Sequence, residues 1–253
     1  MAASTPYLRG DALLVHSLFE VLAALTGLAA YRLLPVSAPG APLPWQVHPR
    51  YIAAGALGTT LGAYLVGSAN LWLSGIPGIG RSIEGAIAGG IVAIEALKWR
   101  HGISGSTGLR FAAPLAAAIA VGRIGCFLAG LDDQTYGTPT RLPWGVDFGD
   151  GIARHPVQLY ESAAMAAFFV VFVVLVRRGS TAVTRTGFYL FVGVYAGQRC
   201  LWEFLKPYGT VFGPLNLFHL LSLALIAYAA IFSWQEVRQP CPDLPSPSRA
   251  PAP

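Results

Sequence analysis

One segment near the middle of the chain, Leu109–Gly130, reads LRFAAPLAAAIAVGRIGCFLAG. It has the length of about 20 mostly apolar residues that a helix needs to cross the hydrocarbon core of a bilayer. Six further segments of this kind occur along the 253 residues: Leu13–Leu34, Tyr51–Leu73, Ile83–Leu97, Val157–Val176, Gly187–Leu205 and Leu215–Trp234. The sequence therefore predicts an all-α, polytopic integral membrane protein with about seven transmembrane helices.

The composition supports a membrane protein and excludes other classes. The chain is 54% hydrophobic and only 11% charged, whereas a typical soluble domain is about 25% charged. An ordinary soluble enzyme and a disordered chain are both excluded. The net charge of +5 comes without a long basic run, so nucleic acid is not a predicted partner. Three scattered cysteines indicate neither a disulfide scaffold nor a zinc site, and no metal or cofactor is predicted.

The distribution of basic residues predicts the orientation of the chain in the membrane. Ten lysines and arginines lie in the segments that follow odd-numbered predicted helices. Five lie in the segments on the opposite side of the membrane. Because cytoplasmic segments carry the basic excess, we expect the N-terminus outside and the C-terminus in the cytoplasm. The predicted organisation is a transmembrane domain over residues 1–236 with an outer loop at 131–156. Residues 237–253, which are rich in proline and serine, are predicted to be a disordered cytoplasmic tail.

Ionisable residues inside the predicted spans indicate a functional site, because such residues are costly in a membrane. Five of them, contributed by four helices, fall at one depth in the outer leaflet: Glu84, Arg123, Glu161, Arg199 and Glu203. The planar guanidinium group of arginine suits phosphate. The five residues at this depth therefore predict a polar cavity that binds a lipid phosphodiester. Structural ion pairing between helices is the alternative. Glu20 and Glu95 are left outside this predicted site.

Short motifs follow one another through the second half of the chain. They are GRIGCF at Gly122–Phe127, YGTPT at Tyr136–Thr140, LPWG at Leu142–Gly145, RHPVQLYE at Arg154–Glu161, RCLWEF at Arg199–Phe204 and LLSL at Leu220–Leu223. This ordered set resembles the prolipoprotein diacylglyceryl transferase family of bacterial inner membranes. The resemblance is best from about Gly80 to Leu225.

The resemblance implies a fold, a reaction and partners. Members have seven transmembrane helices and reside in the bacterial plasma membrane. They transfer a diacylglyceryl group from phosphatidylglycerol to the lipobox cysteine thiol of a preprolipoprotein, and they release glycerol phosphate. The predicted partners are phosphatidylglycerol, the preprolipoprotein signal peptide and the lipid bilayer. The family's two essential arginines correspond to Arg123 and Arg199, the acid after the second arginine to Glu203, and the outer-loop glycine to Gly137.

Two departures mark this chain as a divergent member. Cys126 replaces the asparagine that family members usually have three residues after the signature arginine. A cysteine at such a position is more often a small buried apolar residue than a reactive group. The histidine that opens the third span in typical members is replaced by Glu84, a candidate base for the thiol or a partner of Arg123. The predicted catalytic residues are Arg123, Arg199, Glu84 and Glu203. The predicted substrate-binding residues are Arg123, Gly137, His155, Gln158, Tyr160 and Glu161.

Two other functions remain open at the level of sequence. A catalytically degenerate or altered-substrate family member would bind lipid or lipoprotein without the standard transfer. A membrane transporter would use the outer ionisable residues to guide a substrate. The inner half of the predicted bundle is nearly free of charge, whereas a path across the membrane needs polar groups at several depths.

Overall fold

A computed structural model describes residues 3–4, 12–34, 36 and 48–238 of the chain. The described residues form seven α-helices, in the order in which the apolar segments occur in the sequence. They are α1 (Ala12–Leu33), α2 (Tyr51–Leu73), α3 (Ile83–Arg100), α4 (Leu109–Ala129), α5 (Val157–Arg177), α6 (Thr181–Glu203) and α7 (Leu217–Arg238). The predicted helical class is confirmed.

Five of these helices are long and apolar enough to cross a membrane, namely α1, α2, α4, α5 and α7. The chain is therefore a polytopic membrane protein. The other two are less apolar because they carry the ionisable residues of the predicted site. Glu84 lies at the start of α3, and Arg199 and Glu203 lie near the end of α6.

Helices α3, α6 and α7 differ from the sequence prediction by two to six residues at one or both ends, and the other four helices by at most one residue. Helix α6 begins at Thr181, six residues before the predicted start, because the Ser180 side chain accepts a hydrogen bond from the backbone of Val183 and caps the helix. Helix α7 begins at Leu217 because the two residues before it pair in a β-hairpin. The same helix continues to Arg238, so residues 237 and 238 are not part of a tail. The rest of the predicted tail lies outside the described residues.

Helix α4 occupies the centre of the bundle. In the most apolar stretch of α4, 56% of the residues are buried, whereas only 6% are buried in the corresponding stretch of α1. Its alanine face, which includes Ala112 and Ala116, packs against aromatic rings of α5 and α6 such as Phe172 and Phe191. Small residues allow close approach of helices where lipid supplies no hydrophobic driving force. The central position of α4 brings Arg123 into the interior of the bundle.

Helices α2 and α3 approach each other through glycines. A Cβ atom on Gly62 would lie 2.9 Å from the Cα atom of Gly89, and one on Gly89 would lie 2.8 Å from the Cα atom of Gly62. Both distances are shorter than side-chain packing allows, so the interface requires glycine at these positions. This close contact holds the start of α3, and with it Glu84, against α2.

Short strands, which the sequence analysis did not predict, organise the loops. After a 3-10 helix at Gly130–Asp133, the loop before α5 contains β2 (Val146–Asp147) and β3 (Ala153–Arg154), which pair antiparallel, and β2 also pairs with β1 (Ala3–Ser4). The loop before α7 contains β4 (Thr210–Phe212) and β5 (Leu215–Asn216). In the first loop both carboxylate oxygens of Asp150 accept hydrogen bonds from Arg154, at 2.7 and 2.8 Å.

Candidate active site

Six charged side chains gather in the interior where α3, α4, α5 and α6 meet. None of them is more than 7% exposed. We call them the charged cluster, which consists of Glu84, Arg123, Glu161, Arg199, Glu203 and Lys206. Three cations face three carboxylates, so the cluster is formally neutral when all six groups are ionised. Such mutual pairing is what allows charges to be buried at all.

Glu161 is the centre of the charged cluster. One of its oxygens, Oε2, pairs with Nη2 of Arg123. The other, Oε1, lies 2.7 Å from Nη1 of Arg199 and 2.7 Å from Nζ of Lys206. The carboxylate on α5 thus joins an arginine of α4 to an arginine of α6, and it fixes the distance between the two guanidinium groups.

Arg199 is held on three sides. Its Nη2 atom lies 3.1 Å from Oε2 of Glu203, because residues four apart share one face of a helix. Its Nε atom lies 3.5 Å from Oε2 of Glu84. The guanidinium carbon lies 4.8 Å from the centre of the Phe218 ring, in cation–π geometry. These contacts leave the guanidinium plane little freedom.

Neutral groups from the last part of the chain complete the pairing of two carboxylates. Ser222 donates a hydrogen bond of 2.6 Å to Oε1 of Glu84, and Asn216 donates one of 3.1 Å to Oε1 of Glu203. The predicted alternative that Glu84 pairs with Arg123 is wrong. Glu161 occupies Arg123 instead, because α5 lies beside α4, and Glu84 pairs with Arg199.

A cavity of about 770 Å³ opens onto four members of the charged cluster: Glu84, Arg123, Glu161 and Arg199. Among the described residues, Nε of Arg123 has no hydrogen-bond acceptor although it is buried. A buried guanidinium N–H without an acceptor is costly, and an anionic ligand would satisfy it. The cavity therefore exposes two guanidinium groups to the same ligand.

A second set of polar side chains lines the same cavity, and we call it the rim group. It consists of His16, Glu20, Arg81, Cys126 and Asp133. Nε2 of His16 lies 3.0 Å from Oδ1 of Asp133 and 3.8 Å from Sγ of Cys126. Nδ1 of His16 lies 3.4 Å from Oε1 of Glu20, which also pairs with Arg81 at 2.9 Å. The rim group touches the charged cluster where Nη1 of Arg123 donates to Cys126 Sγ over 3.5 Å.

The sequence analysis missed several of these residues. It left Glu20 outside the site and did not consider His16, although a histidine and a glutamate four residues apart in an apolar span were a usable sign. Lys206, one of the five basic residues on the outer side, was not assigned to the site. Its side chain turns back into the bundle, where Glu161 accepts from it. No local feature of the sequence indicates that contact.

Four predicted substrate-binding residues do not line the cavity: Gly137, His155, Gln158 and Tyr160. The Tyr160 hydroxyl accepts a hydrogen bond of 2.8 Å from Trp144, and Nδ1 of His155 lies 3.5 Å from the same hydroxyl. Neighbouring helical residues point about 100° apart. For this reason Tyr160 faces away from the cavity while Glu161 faces into it.

The other two of these four residues are buried. A Cβ atom on Gly137 would lie 2.7 Å from the Cβ atom of His155, so glycine is required there for packing. Gln158 is fully buried, and its amide atoms have no hydrogen-bond partner among the described residues. Substrate binding by Gly137, His155, Gln158 and Tyr160 stays a prediction.

The fold and the charged cluster define a class, that of polytopic helical membrane proteins with a charged cavity between their helices. Within that class, the family model described as prolipoprotein diacylglyceryl transferase matches residues 46–235. The chain belongs to this family, and the resemblance seen in the motifs is confirmed. The matched range contains every member of the charged cluster.

Several bacterial relatives are similar to the chain, and each bears the name phosphatidylglycerol–prolipoprotein diacylglyceryl transferase. The relative from Methylocella silvestris is 36% identical over 58% of this chain and 56% of its own length. The relative from Cupriavidus pinatubonensis is 34% identical over 63% of this chain and 60% of its own length. That from Geobacter sulfurreducens is 34% identical over 45% of this chain and 44% of its own length. The matches thus span about half the length of these relatives. No solved structure matches the chain.

Proposed function

We propose that this protein transfers the diacylglyceryl group of phosphatidylglycerol to the lipobox cysteine thiol of a preprolipoprotein. One observation carries the proposal: Arg123 and Arg199, from separate helices, line one cavity and are joined through Glu161. Membership of the family and the names of the relatives support the same reaction. Two adjacent guanidinium groups suit the phosphate of a lipid headgroup.

The proposal includes the arrangement in the membrane. All seven helices cross the bacterial plasma membrane, with the N-terminus outside and the C-terminus in the cytoplasm. The excess of basic residues on the side of Lys98, Arg177 and Arg178 supports this orientation. The charged cluster then lies in the outer half of the bilayer, which is the side that a translocated signal peptide reaches.

The reaction in this site is an S-alkylation. The sulfur of the acceptor cysteine forms a bond to the glycerol carbon that carries the phosphate. The carbon–oxygen bond breaks, and its electron pair stays on the phosphate oxygen of the departing glycerol phosphate. Arg123 and Arg199, whose side chains are buried, stabilise the charge that develops on this oxygen. Glu203 and Glu161 position the two arginines.

The thiol must lose its proton during the reaction, because the thiolate is the nucleophile. Glu84 is the proposed acceptor of this proton. Its carboxylate lines the cavity and is held by Ser222 and Arg199. This assignment gives Glu84 the task of the histidine that it replaces in the family motif.

Complementation tests the proposed function. The chain is expressed in a bacterium depleted of its own transferase, and mass spectrometry follows the added diacylglyceryl mass on a prolipoprotein. We expect the wild type and Arg178→Ala, an exposed control on the opposite side, to restore modification. Arg123→Ala and Arg199→Ala should each lower the rate by about 100-fold or more at equal protein level.

Two outcomes would contradict the proposal. Full transfer by both arginine variants would remove the phosphate-binding role. Absence of the added mass in the wild type, with labelled phosphatidylglycerol still bound by the purified protein, would favour the alternative of a family member that binds lipid without transfer.

A further inference from the structure

The rim group contains three side chains whose donor atoms converge on one point. These are Nε2 of His16, Sγ of Cys126 and a carboxylate oxygen of Asp133, and all three atoms lie within 4.8 Å of one another. Imidazole, thiolate and carboxylate are the ligands that Zn²⁺ takes in proteins. The first two ligands are 110 positions apart in the chain. The spacing of cysteines in the sequence therefore does not reveal the set.

Two of the three distances between the donors are close to those around a tetrahedral ion. With ordinary Zn–N, Zn–O and Zn–S bond lengths, the N···O edge of a tetrahedron is about 3.4 Å and the N···S edge about 3.6 Å. The observed edges from His16 Nε2 are 3.0 Å to Asp133 and 3.8 Å to Cys126. The third edge, from Cys126 Sγ to the Asp133 carboxylate, is at most 4.8 Å against about 3.6 Å in a tetrahedron, so side-chain movements of up to about 1 Å would bring the three donors onto the ion.

The groups around the three donors match those that surround metal ligands. A metal-bound histidine usually donates its other ring N–H to a carboxylate. Here Nδ1 of His16 faces Glu20 at 3.4 Å. The Thr135 hydroxyl donates to the second oxygen of Asp133 and fixes that carboxylate. Arg123 donates to the Cys126 sulfur over 3.5 Å and so helps to hold this side chain beside His16.

We propose that His16, Cys126 and Asp133 bind a divalent metal ion of the Zn²⁺ class, and that its fourth position receives the acceptor thiol. The second half of this inference rests on the proposed function. All three ligands line the cavity that also exposes Arg123 and Arg199, so a fourth ligand can reach the ion from the cavity. Three protein ligands with one open position are the arrangement of catalytic rather than structural zinc sites.

The metal would prepare the nucleophile of the proposed reaction. Coordination removes the proton of the thiol, as metal binding generally does, and Glu84 remains the proposed acceptor of that proton. The coordinated sulfur supplies the electron pair of the new carbon–sulfur bond. The carbon–oxygen bond breaks toward phosphate, and Arg123, which contacts both the ligand Cys126 and the charged cluster, lies beside the departing oxygen.

Metal content tests the site independently of activity. The full chain is purified in detergent with a tag that contains no histidine, and bound metals are measured by elemental mass spectrometry before and after titration with Zn²⁺. We expect about one Zn²⁺ per chain. Substitution with Co²⁺ should produce visible absorption bands, including a thiolate-to-cobalt band. Cys126→Ser should abolish that band.

Matched variants identify the ligands. Asp133→Asn, His16→Ala and Cys126→Ser should each weaken Zn²⁺ binding by more than about 100-fold, since loss of an outer-shell partner already costs 10–100-fold. The controls Asp132→Asn and Cys200→Ser should bind like the wild type. Size-exclusion chromatography establishes that each variant is folded. If Cys126→Ser does not fold, Zn²⁺ binding by Asp133→Asn and the Co²⁺ spectrum of the wild type test the metal site instead.

The outcomes separate this inference from the proposed function. Absence of bound Zn²⁺ or Co²⁺ in the wild type after titration, or equal binding by the ligand variants, would overturn the metal site and indicate only an ion pair between His16 and Asp133. Transfer that continues at full rate after a chelator has removed the metal would overturn its role with the thiol. Metal binding without diacylglyceryl transfer would defeat the proposed function and leave the site standing.

Discussion

Glu161 is the residue on which the arrangement of the two arginines depends. Its two oxygens meet Arg123, Arg199 and Lys206, and its side chain is 3% exposed. Removing one partner of a buried ion pair leaves uncompensated charge, which costs about 3–5 kcal/mol. Here one change would leave three cations without their common partner, and their mutual repulsion would move the guanidinium groups apart.

We therefore expect Glu161→Gln, which preserves side-chain shape, to lower the apparent melting temperature and to abolish transfer. The control is Glu236→Gln, because Glu236 is only partly buried and does not line the cavity. Thermal unfolding in detergent and the mass-spectrometric assay measure both effects. Equal melting temperatures for the two variants would show that Glu161 does not hold the cluster together.

At the scale of elements, the glycine interface between α2 and α3 positions Glu84. A Cβ atom on Gly89 would approach the Cα atom of Gly62 to 2.8 Å and would clash with the backbone oxygen of Gly58. Gly89→Ala should therefore separate the two helices at a cost of about 1–3 kcal/mol. Gly197→Ala is the control, because among the described residues no heavy atom outside the neighbouring backbone of its own helix lies within 4 Å of a Cβ atom there.

The measurement is the apparent melting temperature of both alanine variants in detergent. It should fall for Gly89→Ala and stay unchanged or rise for Gly197→Ala, since alanine favours the helix over glycine. A Gly89→Ala protein as stable as the wild type would show that α2 and α3 can shift without penalty.

The outer loop before α5 depends on a pair of charged residues. Hydrogen bonds from the Arg154 guanidinium hold the pKa of Asp150 below its ordinary value. Because the pKa of Asp150 is lower in the folded loop than in the unfolded chain, the ionised carboxylate stabilises the folded loop at pH values above the unfolded pKa of about 3.9. This stabilisation is lost as the pH falls through the lower pKa that Asp150 has in the folded loop. The loop should therefore stay ordered at neutral pH and loosen only in acid.

Trp144 reports on this loop, because its indole donates to Tyr160. The fluorescence difference between the wild type and Trp144→Phe should stay constant from pH 7 to about pH 4 and change below it. In Asp150→Asn the change should already be present at pH 7. A wild-type transition above pH 5 would exclude the Asp150–Arg154 pair as its cause.

At the scale of the whole molecule, the proposed topology makes α3 and α6 cross the membrane although they are less apolar than the other five helices. Single cysteines on both sides of each helix test this. Ile79→Cys and Val211→Cys should react with a membrane-impermeant maleimide in intact spheroplasts. His101→Cys and Arg178→Cys should react only after permeabilisation. The chain without an added cysteine corrects for the native thiols.

Labelling of Ile79→Cys and His101→Cys from the same side would show that α3 does not span the bilayer. Labelling of Arg178→Cys and Val211→Cys from the same side would show that α6 does not span the bilayer. Either outcome would place the charged cluster at a different depth and weaken the proposal that it binds a lipid headgroup.

Much of this protein is determined by local sequence. Seven apolar segments predict seven helices because hydropathy and length act residue by residue along the chain, and both ends of α1, α2, α4 and α5 lie within one residue of the prediction. The four-residue spacing of Arg199 and Glu203 predicts their pairing because helical geometry alone places them on one face. The family follows from short motifs in order, without reference to the folded structure.

The tertiary structure decided which charges pair and which groups share the cavity. Glu84 pairs with Arg199 and not with Arg123, Lys206 turns inward to Glu161, and His16 meets Cys126 and Asp133 across the bundle. These contacts join residues far apart in the chain. They depend on how each helix is rotated about its axis and which helix lies beside it, and side-chain packing between helices sets both.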